Sequence, residues 1–587
     1  MKKFFGTMFA SFFGMVLFVA VSIFLLIIIV AGSISSSDVE TKLKDNSVLE
    51  IKLSQPIADN PDEDIMANFN PLSGKTEKSV SLKNVIHAVC KASKDDKIKG
   101  IVIDAGFAES QSIATMQELR TALQHFKDSS DKFIYAYGEA YSQTGYYLAS
   151  IADKIYVQSE GGVEIKGINF RLQFFKKLLD KAGVEMQIIR HGKFKSAVEP
   201  FTEEKMSEAN REQYKLFANS LWSEMVKGIA DGRKITEARV NEIADSLLTH
   251  INSRLISENI IDGFMERSYF NDTILKDMHL VSVGKYKSSI GKEKNEPKDR
   301  IAIIYAQGDV GTGKGSVSEI GMENISSAIK KAADNKKVKA IVLRVNSPGG
   351  SVLTSDIIYR AVVEAKAKKP VVASFGTYAA SGGYYISCAA NKIYSDATTL
   401  TGSIGVFGMI PNAQKLLNDK VGITFDEVGT NKNSGYGTVV RSMQDYERDV
   451  TQQGVEDIYF GFVQKVAQGR GKTVEYIDSI GQGRVWAGVD ALKIGLVDEL
   501  GGLTEAIKGA AELAGISEYK ISEYPEPKDQ MTQLMELLGQ SPSTKVEKEF
   551  ARIFGIEGAS MYKVLQQVQQ ASETQVYARL PFGISVE

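Results

Sequence analysis

The chain has 587 residues, too many for one hydrophobic core, and the domain-size prior gives about three to five folded units. Hydrophobic residues make up 43% and charged residues 24%, ordinary for a globular protein. A net charge of −2 shows no electrostatic footprint for nucleic acid, and no nucleic-acid partner is expected.

The N-terminus departs from that average. After Lys2 and Lys3 no Asp, Glu, Lys or Arg occurs until Asp38, and residues 13–31 are almost wholly apolar. At about 1.5 Å per residue that run is long enough to cross a bilayer core. A cleaved signal peptide is the competing reading, but its apolar region is usually about 7–15 residues. The expectation is therefore a single transmembrane anchor within residues 1–36, with the lysine pair in the cytoplasm and the rest of the chain outside. Two cysteines, Cys90 and Cys388, do not make a disulfide framework, and each is expected as a buried free thiol. Cysteine–histidine metal spacing is absent, and no metal or organic cofactor is expected.

Strand-like Val48-Leu-Glu-Ile-Lys-Leu53 comes first, followed by helical apolar spacing at Leu82, Val85, Ile86 and Val89. Gly100-Ile-Val-Ile103 reads as a buried strand, 116–126 as a helix, 133–137 as a strand, and a helix follows from Gly145. This alternation predicts an α/β fold with a largely parallel sheet. The order then recurs: strands at 300–305, 340–344 and 371–375, helices at 324–333 and 355–367. Matching segments stand 237 to 240 residues apart, among them Asp96-Lys-Ile-Lys-Gly-Ile-Val-Ile103 with Lys336-Lys-Val-Lys-Ala-Ile-Val-Leu343, and Gly145-Tyr-Tyr147 with Gly383-Tyr-Tyr385. An ordered series at nearly one offset marks an internal duplication. It divides the chain into a first half (37–299), a second half (300–525) and a tail (526–587). The tail reads as helical at 531–538 and 561–568, packed against the body or a neighbouring subunit.

The halves differ where chemistry would sit. Tyr378-Ala-Ala-Ser-Gly-Gly-Tyr-Tyr-Ile386 follows a strand, and its small residues allow a tight turn that holds the Ser381 hydroxyl at a helix N-terminus. That setting suits a nucleophile whose reaction develops an oxyanion, although the same four residues also make an ordinary turn with a capping serine. Asn346-Ser-Pro-Gly-Gly350 ends the preceding strand, and its glycines let main-chain N–H groups approach a ligand. In the first half Gln143 falls opposite Ser381, and the Gly-Gly turn is missing. None of the five histidines has a setting for a Ser-His-Asp triad. His191 and Lys195, in His-Gly-Lys-Phe-Lys195-Ser-Ala-Val-Glu-Pro200, are the candidate bases, and a lysine can serve if burial lowers its pKa. Gly308-Asp-Val-Gly-Thr-Gly-Lys-Gly315 mimics a phosphate-binding loop, but Gly315 stands where the magnesium-binding Ser or Thr belongs. It is read as a flexible loop near the cleft mouth.

Lys195-Ser-Ala-Val-Glu-Pro-Phe201, Asn346-Ser-Pro-Gly-Gly350, Ala380-Ser-Gly-Gly-Tyr384, Thr401-Gly-Ser-Ile-Gly405 and Gly483-Arg-Val-Trp-Ala-Gly488, with the anchor and the repeat, resemble the long tandem form of the signal peptide peptidase SppA (protease IV) family. The resemblance implies two tandem ClpP/crotonase-like domains, each a spiral of βαβ units. It implies a Ser/Lys dyad: Ser381 as nucleophile, Lys195 as general base, Ser403 positioning the lysine, and the N–H groups of Gly350 and Gly382 as the oxyanion hole. It also implies a homotetramer on the bacterial inner membrane, its catalytic body on the periplasmic side. Such an enzyme would degrade released signal peptides and other short unfolded hydrophobic segments. Two other classes stay open, a crotonase-like acyl-CoA thioester enzyme and a non-catalytic membrane scaffold.

Overall fold

The apolar runs become strands because helices cover the sheets that they build. The structure, a computed structural model, describes residues 43–61, 79–106, 111–290 and 296–524, residue 14, and short strands at 69–70, 75–76 and 577–579. The expected anchor segment and the expected tail helices lie outside the described residues. Among the described residues no helix is long and apolar enough to cross a membrane.

Each half contains a parallel sheet, and the two sheets share one strand order. In the first half the order is Gly263–Phe264, Lys154–Val157, Phe133–Gly138, Ile98–Asp104, Ser47–Lys52 and His279–Ser282. The second half repeats it as Glu499–Leu500, Lys392–Ser395, Val371–Ala380, Val338–Ser347, Arg300–Gln307 and Lys520–Tyr524. All of these neighbours pair in parallel, as βαβ crossovers require. A helix of 26 residues follows in each half, Glu208–Arg233 and Asp445–Arg470. The duplication read from sequence is therefore a duplication of topology. The second sheet extends further through Leu400–Gly402 and, antiparallel to it, Val485–Ala487.

A third sheet joins the halves. Glu185–His191 of the first half pairs antiparallel with Val406–Asn412 of the second, from Val406↔His191 to Asn412↔Glu185. Gly349–Ser351 and Asp309–Val310 belong to the same sheet, with Val310 paired to Gly350. The expected flexible loop at Gly308 thus begins as a strand, held by pairing on both sides. Tyr577–Arg579 of the tail is a strand as well, inserted between Gly349–Ser351 and Val406–Asn412. These three residues lie outside the two tail segments expected as helix.

The seam is apolar first. Tyr214, Phe217 and Leu221 on the first-half helix pack against Ala380, Leu400, Val485 and Ala487 of the second half. Each large buried side chain contributes about 1.5–3 kcal/mol, whereas a largely exposed pair such as Arg484–Glu212 contributes about 0–1 kcal/mol. The seam also contains a buried ionic clasp. Arg344 holds Asp59 at 2.7 Å and contacts Glu118, both from the first half. Its guanidinium also donates to Ser374 Oγ and the Phe375 carbonyl, each at 2.9 Å, inside the strand that leads to Ser381. Burial, and then the charge of Glu118, holds the Asp396 carboxyl well above the usual range.

Cys388 is buried as expected, whereas Cys90 is exposed. Leu82, Val85, Ile86 and Val89 fill the inward face of that helix, and residue 90 falls outside their stripe.

Removing one partner of a buried ion pair strands the other charge, at a cost of about 3–5 kcal/mol. Arg344→Ala should therefore lower the denaturation midpoint clearly, and an unchanged midpoint would show that the clasp carries no stability.

Candidate active site

Ser381 follows directly on the strand Val371–Ala380 and precedes the helix Gly382–Ser387. Its backbone is strained, with φ 54° and ψ −114°, and its side chain makes no capping bond. Neighbouring geometry in the first half is relaxed: Ser142 has φ −64° and its hydroxyl accepts from the Gly145 N–H. The capping-serine reading thus describes Ser142 and fails for Ser381. Gln143 is occupied structurally, its carbonyl accepting from the N–H groups of Lys166 and Gly167 at 2.9 and 3.0 Å. Strain in a non-glycine residue persists only where its surroundings over-determine it. Here the Ser381 N–H donates to the Gly402 carbonyl, and its own carbonyl accepts from the Tyr385 N–H, both at 2.8 Å. A Cβ on Gly383 would stand 2.8 Å from the Ser347 carbonyl oxygen, so the second glycine of the motif is a packing requirement.

Lys195 arrives from the first half. It follows the strand Glu185–His191 and opens the short turn Ser196–Val198. Its amine lies 2.8 Å from Ser381 Oγ, 3.0 Å from Ser403 Oγ and 3.2 Å from the Ser403 carbonyl oxygen. Lys195, Ser381 and Ser403 are all fully buried. Desolvation alone holds the Lys195 pKa well below the usual lysine range, because the charged ammonium is the form that burial penalises. A neutral amine has two N–H donors for the two Ser403 oxygens and one lone pair for the Ser381 hydroxyl proton.

The other motifs form the walls. Ser403, like Ser381, has positive φ, at 50°, and its N–H donates to the Arg484 carbonyl at 2.7 Å. A Cβ on Gly483 would come within 2.6 Å of the Lys195 Cβ, which explains why glycine begins Gly483-Arg-Val-Trp-Ala-Gly488. Gly350 and Gly382 are adjacent across the site, since a Cβ on Gly382 would lie 3.1 Å from the Gly350 nitrogen. Gly382 starts its helix, where N–H groups have no intrahelical acceptor. His191 lies at the end of its strand and stacks on Tyr459 with ring centroids 4.0 Å apart. The structure therefore gathers Ser381, Lys195, Ser403, Gly350 and Gly382, and engages His191 elsewhere. Sequence reasoning missed the buried polar group behind Lys195, made of Glu199, Asn210 and Gln213; Asn210 and Gln213 stand on the buried face of an amphipathic helix, where a polar residue signals a partner. Among the described residues no group of three or more His, Cys, Asp and Glu could hold a metal ion.

Fold and site together describe two tandem α/β halves with a buried Ser381–Lys195 pair at their seam, an arrangement that fits a serine hydrolase. The chain belongs to peptidase family S49, which matches residues 126–283 and 364–517. The Clp protease family also matches, over residues 299–400. Protease 4 of Haemophilus influenzae is 32% identical, covering 83% of this chain and 82% of its own. Protease 4 of Salmonella typhi is 34% identical over 76% of this chain and 74% of its own. The chloroplastic serine protease SPPA of Arabidopsis thaliana is 29% identical over 85% of this chain and 74% of its own. These likenesses support a serine protease.

A buried amine whose folded pKa is lowered leaves the folded chain with fewer bound protons than the unfolded chain. Stability then rises with pH between the lowered and the ordinary lysine pKa. Lys195→Met keeps the length and removes the ionisation. It should be more stable than wild type at neutral pH, by a margin that widens as pH falls toward the lowered pKa. Equal denaturation midpoints at every pH would show that the amine is not desolvated.

Proposed function

We propose that this protein is a membrane-anchored endopeptidase that degrades released signal peptides and other short unfolded hydrophobic segments, with Ser381 as nucleophile and neutral Lys195 as general base. The observation that carries this reading is the buried Lys195 amine 2.8 Å from Ser381 Oγ, with burial favouring its neutral form. Lys195 takes the hydroxyl proton as Oγ attacks the scissile carbonyl carbon. The carbonyl oxygen becomes an oxyanion stabilised by the N–H groups of Gly350 and Gly382. The lysine ammonium then gives its proton to the leaving amine as the peptide bond breaks, leaving an acyl-enzyme. Water, deprotonated by the same amine, attacks the ester carbonyl and releases the acid, and Ser381 recovers its proton. Ser403 holds the amine between the two steps through both of its oxygens.

An extended peptide fits the lane beside the serine. The tail strand Tyr577–Arg579 already lies there, antiparallel to Gly349–Ser351, with Ala578 opposite Gly350. A substrate main chain takes the same lane and displaces the tail. Both halves are needed, because the serine and the lysine come from different ones. The apolar N-terminal run supports an inner-membrane anchor with the body on the periplasmic side. Association of four copies is consistent with the exposed Val421, Ile423, Phe425 and Val428 in one short segment.

Ser381→Ala and Lys195→Arg should each abolish cleavage of a signal-peptide library, by several orders of magnitude in kcat, while remaining folded. A guanidinium carries a fixed positive charge and does not give up its proton in this range. His191→Ala should retain activity, and the wild-type rate should climb with pH through the lowered Lys195 pKa. Activity in Lys195→Arg together with its loss in His191→Ala would transfer the base to the histidine.

Ala578→Pro removes a backbone donor from the tail strand and is poorly tolerated inside a sheet. It should lower KM for added peptides. An unchanged KM would show that peptides bind in another lane.

A further inference from the structure

We propose that Gln213 is a positioning residue that sets the reach of the Lys195 amine to Ser381, an inference that rests on Lys195 as the base. Gln213 lies on the helix Glu208–Arg233 and is fully buried. Its Nε2 stands 3.1 Å from the Phe194 carbonyl oxygen and 2.9 Å from Ser196 Oγ, the two neighbours of Lys195 in the chain. Its Oε1 accepts from the Val485 N–H at 3.2 Å. Val485 pairs with Gly402, the residue before Ser403. One carboxamide therefore spans from both sides of the lysine, in the first half, to the strand that places Ser403, in the second.

The orientation of that carboxamide is itself fixed. Asn210 Oδ1 lies 3.0 Å from Gln213 Nε2, and Asn210 Nδ2 donates to Glu199 at 2.8 Å. The Glu199 carboxylate also accepts from the Ser207 N–H at 3.1 Å and the Ser207 hydroxyl at 2.6 Å. This ties the segment after Lys195 to the start of the same helix. The next residue, Tyr214, and Phe217 one turn further on pack on Ala380 and Leu400, so the helix is anchored against the serine strand by apolar contact and not by Gln213 alone. A change at Gln213 should accordingly move the lysine without separating the halves. Gln213 makes no hydrogen bond to Ser381 or to the Lys195 amine, so its influence passes through residues 194–196.

The charged groups around this bridge have partners of their own. Arg190 donates to the Lys195 carbonyl at 3.3 Å, Arg484 pairs with Glu212 at 2.7 Å and stacks on Phe194, and Glu199 holds Ser207 and Asn210. A new carboxylate at position 213 would be the closest addition to the amine's surroundings. It would favour the ammonium form, and it could not donate to Phe194 or Ser196.

The test uses the full-length protein with Gln213→Met, which keeps length without hydrogen bonds, and Gln213→Glu, which keeps shape but brings charge. A displacement on the order of 1 Å costs about a hundredfold in rate. Both variants should lose about ten- to a hundredfold in kcat, with KM within about twofold of wild type. The same loss should appear in the rate of fluorophosphonate labelling at Ser381, with labelling still reaching one serine per chain. In Gln213→Glu the acid limb of the kcat/KM profile should also move to higher pH. Wild-type kcat and an unmoved limb in both variants would overturn the proposal. So would a loss of activity that merely tracks a smaller fraction of labelled serine, since that is the signature of misfolding alone. Lys195→Arg is assayed alongside: if it cleaves, the assignment of the base fails, and if it is dead while both Gln213 variants are normal, only the positioning role fails.

Discussion

The structure depends on one removal from water. Lys195 brings an amine into a site where its three nearest polar partners are uncharged oxygens, and burial is the one cause that moves its pKa. A paired carboxylate would have held the lysine charged and useless as a base. Under the proposed mechanism, the absence of any such shift toward the charged form is what would let a residue that ordinarily carries a proton at neutral pH receive one from a serine. The cost falls on stability and is met elsewhere in the seam, where large apolar side chains and the Arg344 clasp hold the halves together.

Duplication makes this arrangement available. Both halves have the same strand order and the same long helix, but they have diverged at the ends of matching strands. The second half bends into the strained Ser381 turn, where the first has Gln143 bound to backbone and Ser142 as an ordinary cap. The first half supplies Lys195, where the second has Ser434 in an exposed loop. The antiparallel pairing of Glu185–His191 with Val406–Asn412 then fixes the register in which the two contributions meet. A slip of one residue there would carry the segment that holds Lys195 about 3.3 Å along the partner strand and out of reach of the serine.

Much of this was legible in the sequence, for physical reasons. Buried parallel strands write continuous apolar runs, and a repeat writes itself twice, so the α/β class and the duplication could be read directly. The glycines around Ser381 were legible as a turn, though only the structure shows that Ser347 and Gly350 crowd them. Lys195 could not be chosen over His191 by composition or spacing, since burial is a property of the assembled seam; the family resemblance pointed to it. The Asp59–Arg344–Glu118 clasp was invisible because its members are separated by hundreds of residues and no local pattern links them. Gln213 was missed because a polar residue on a helix reads as solvent-facing until the packing shows that its face is buried. The exposed Cys90 departed from expectation and the tail strand at Tyr577–Arg579 went unread, because each depends on what packs alongside.

The central claim is that burial lowers the Lys195 pKa in the folded protein, so that the amine reaches its neutral form well below the ordinary lysine range. It is tested most directly by a nuclear magnetic resonance titration of 13Cε-labelled lysine, with Lys195→Met used to assign the signal. The account predicts one lysine signal whose midpoint lies well below the ordinary value near 10.4, and which is missing from the variant. A Lys195 signal that titrates with the surface lysines would contradict it.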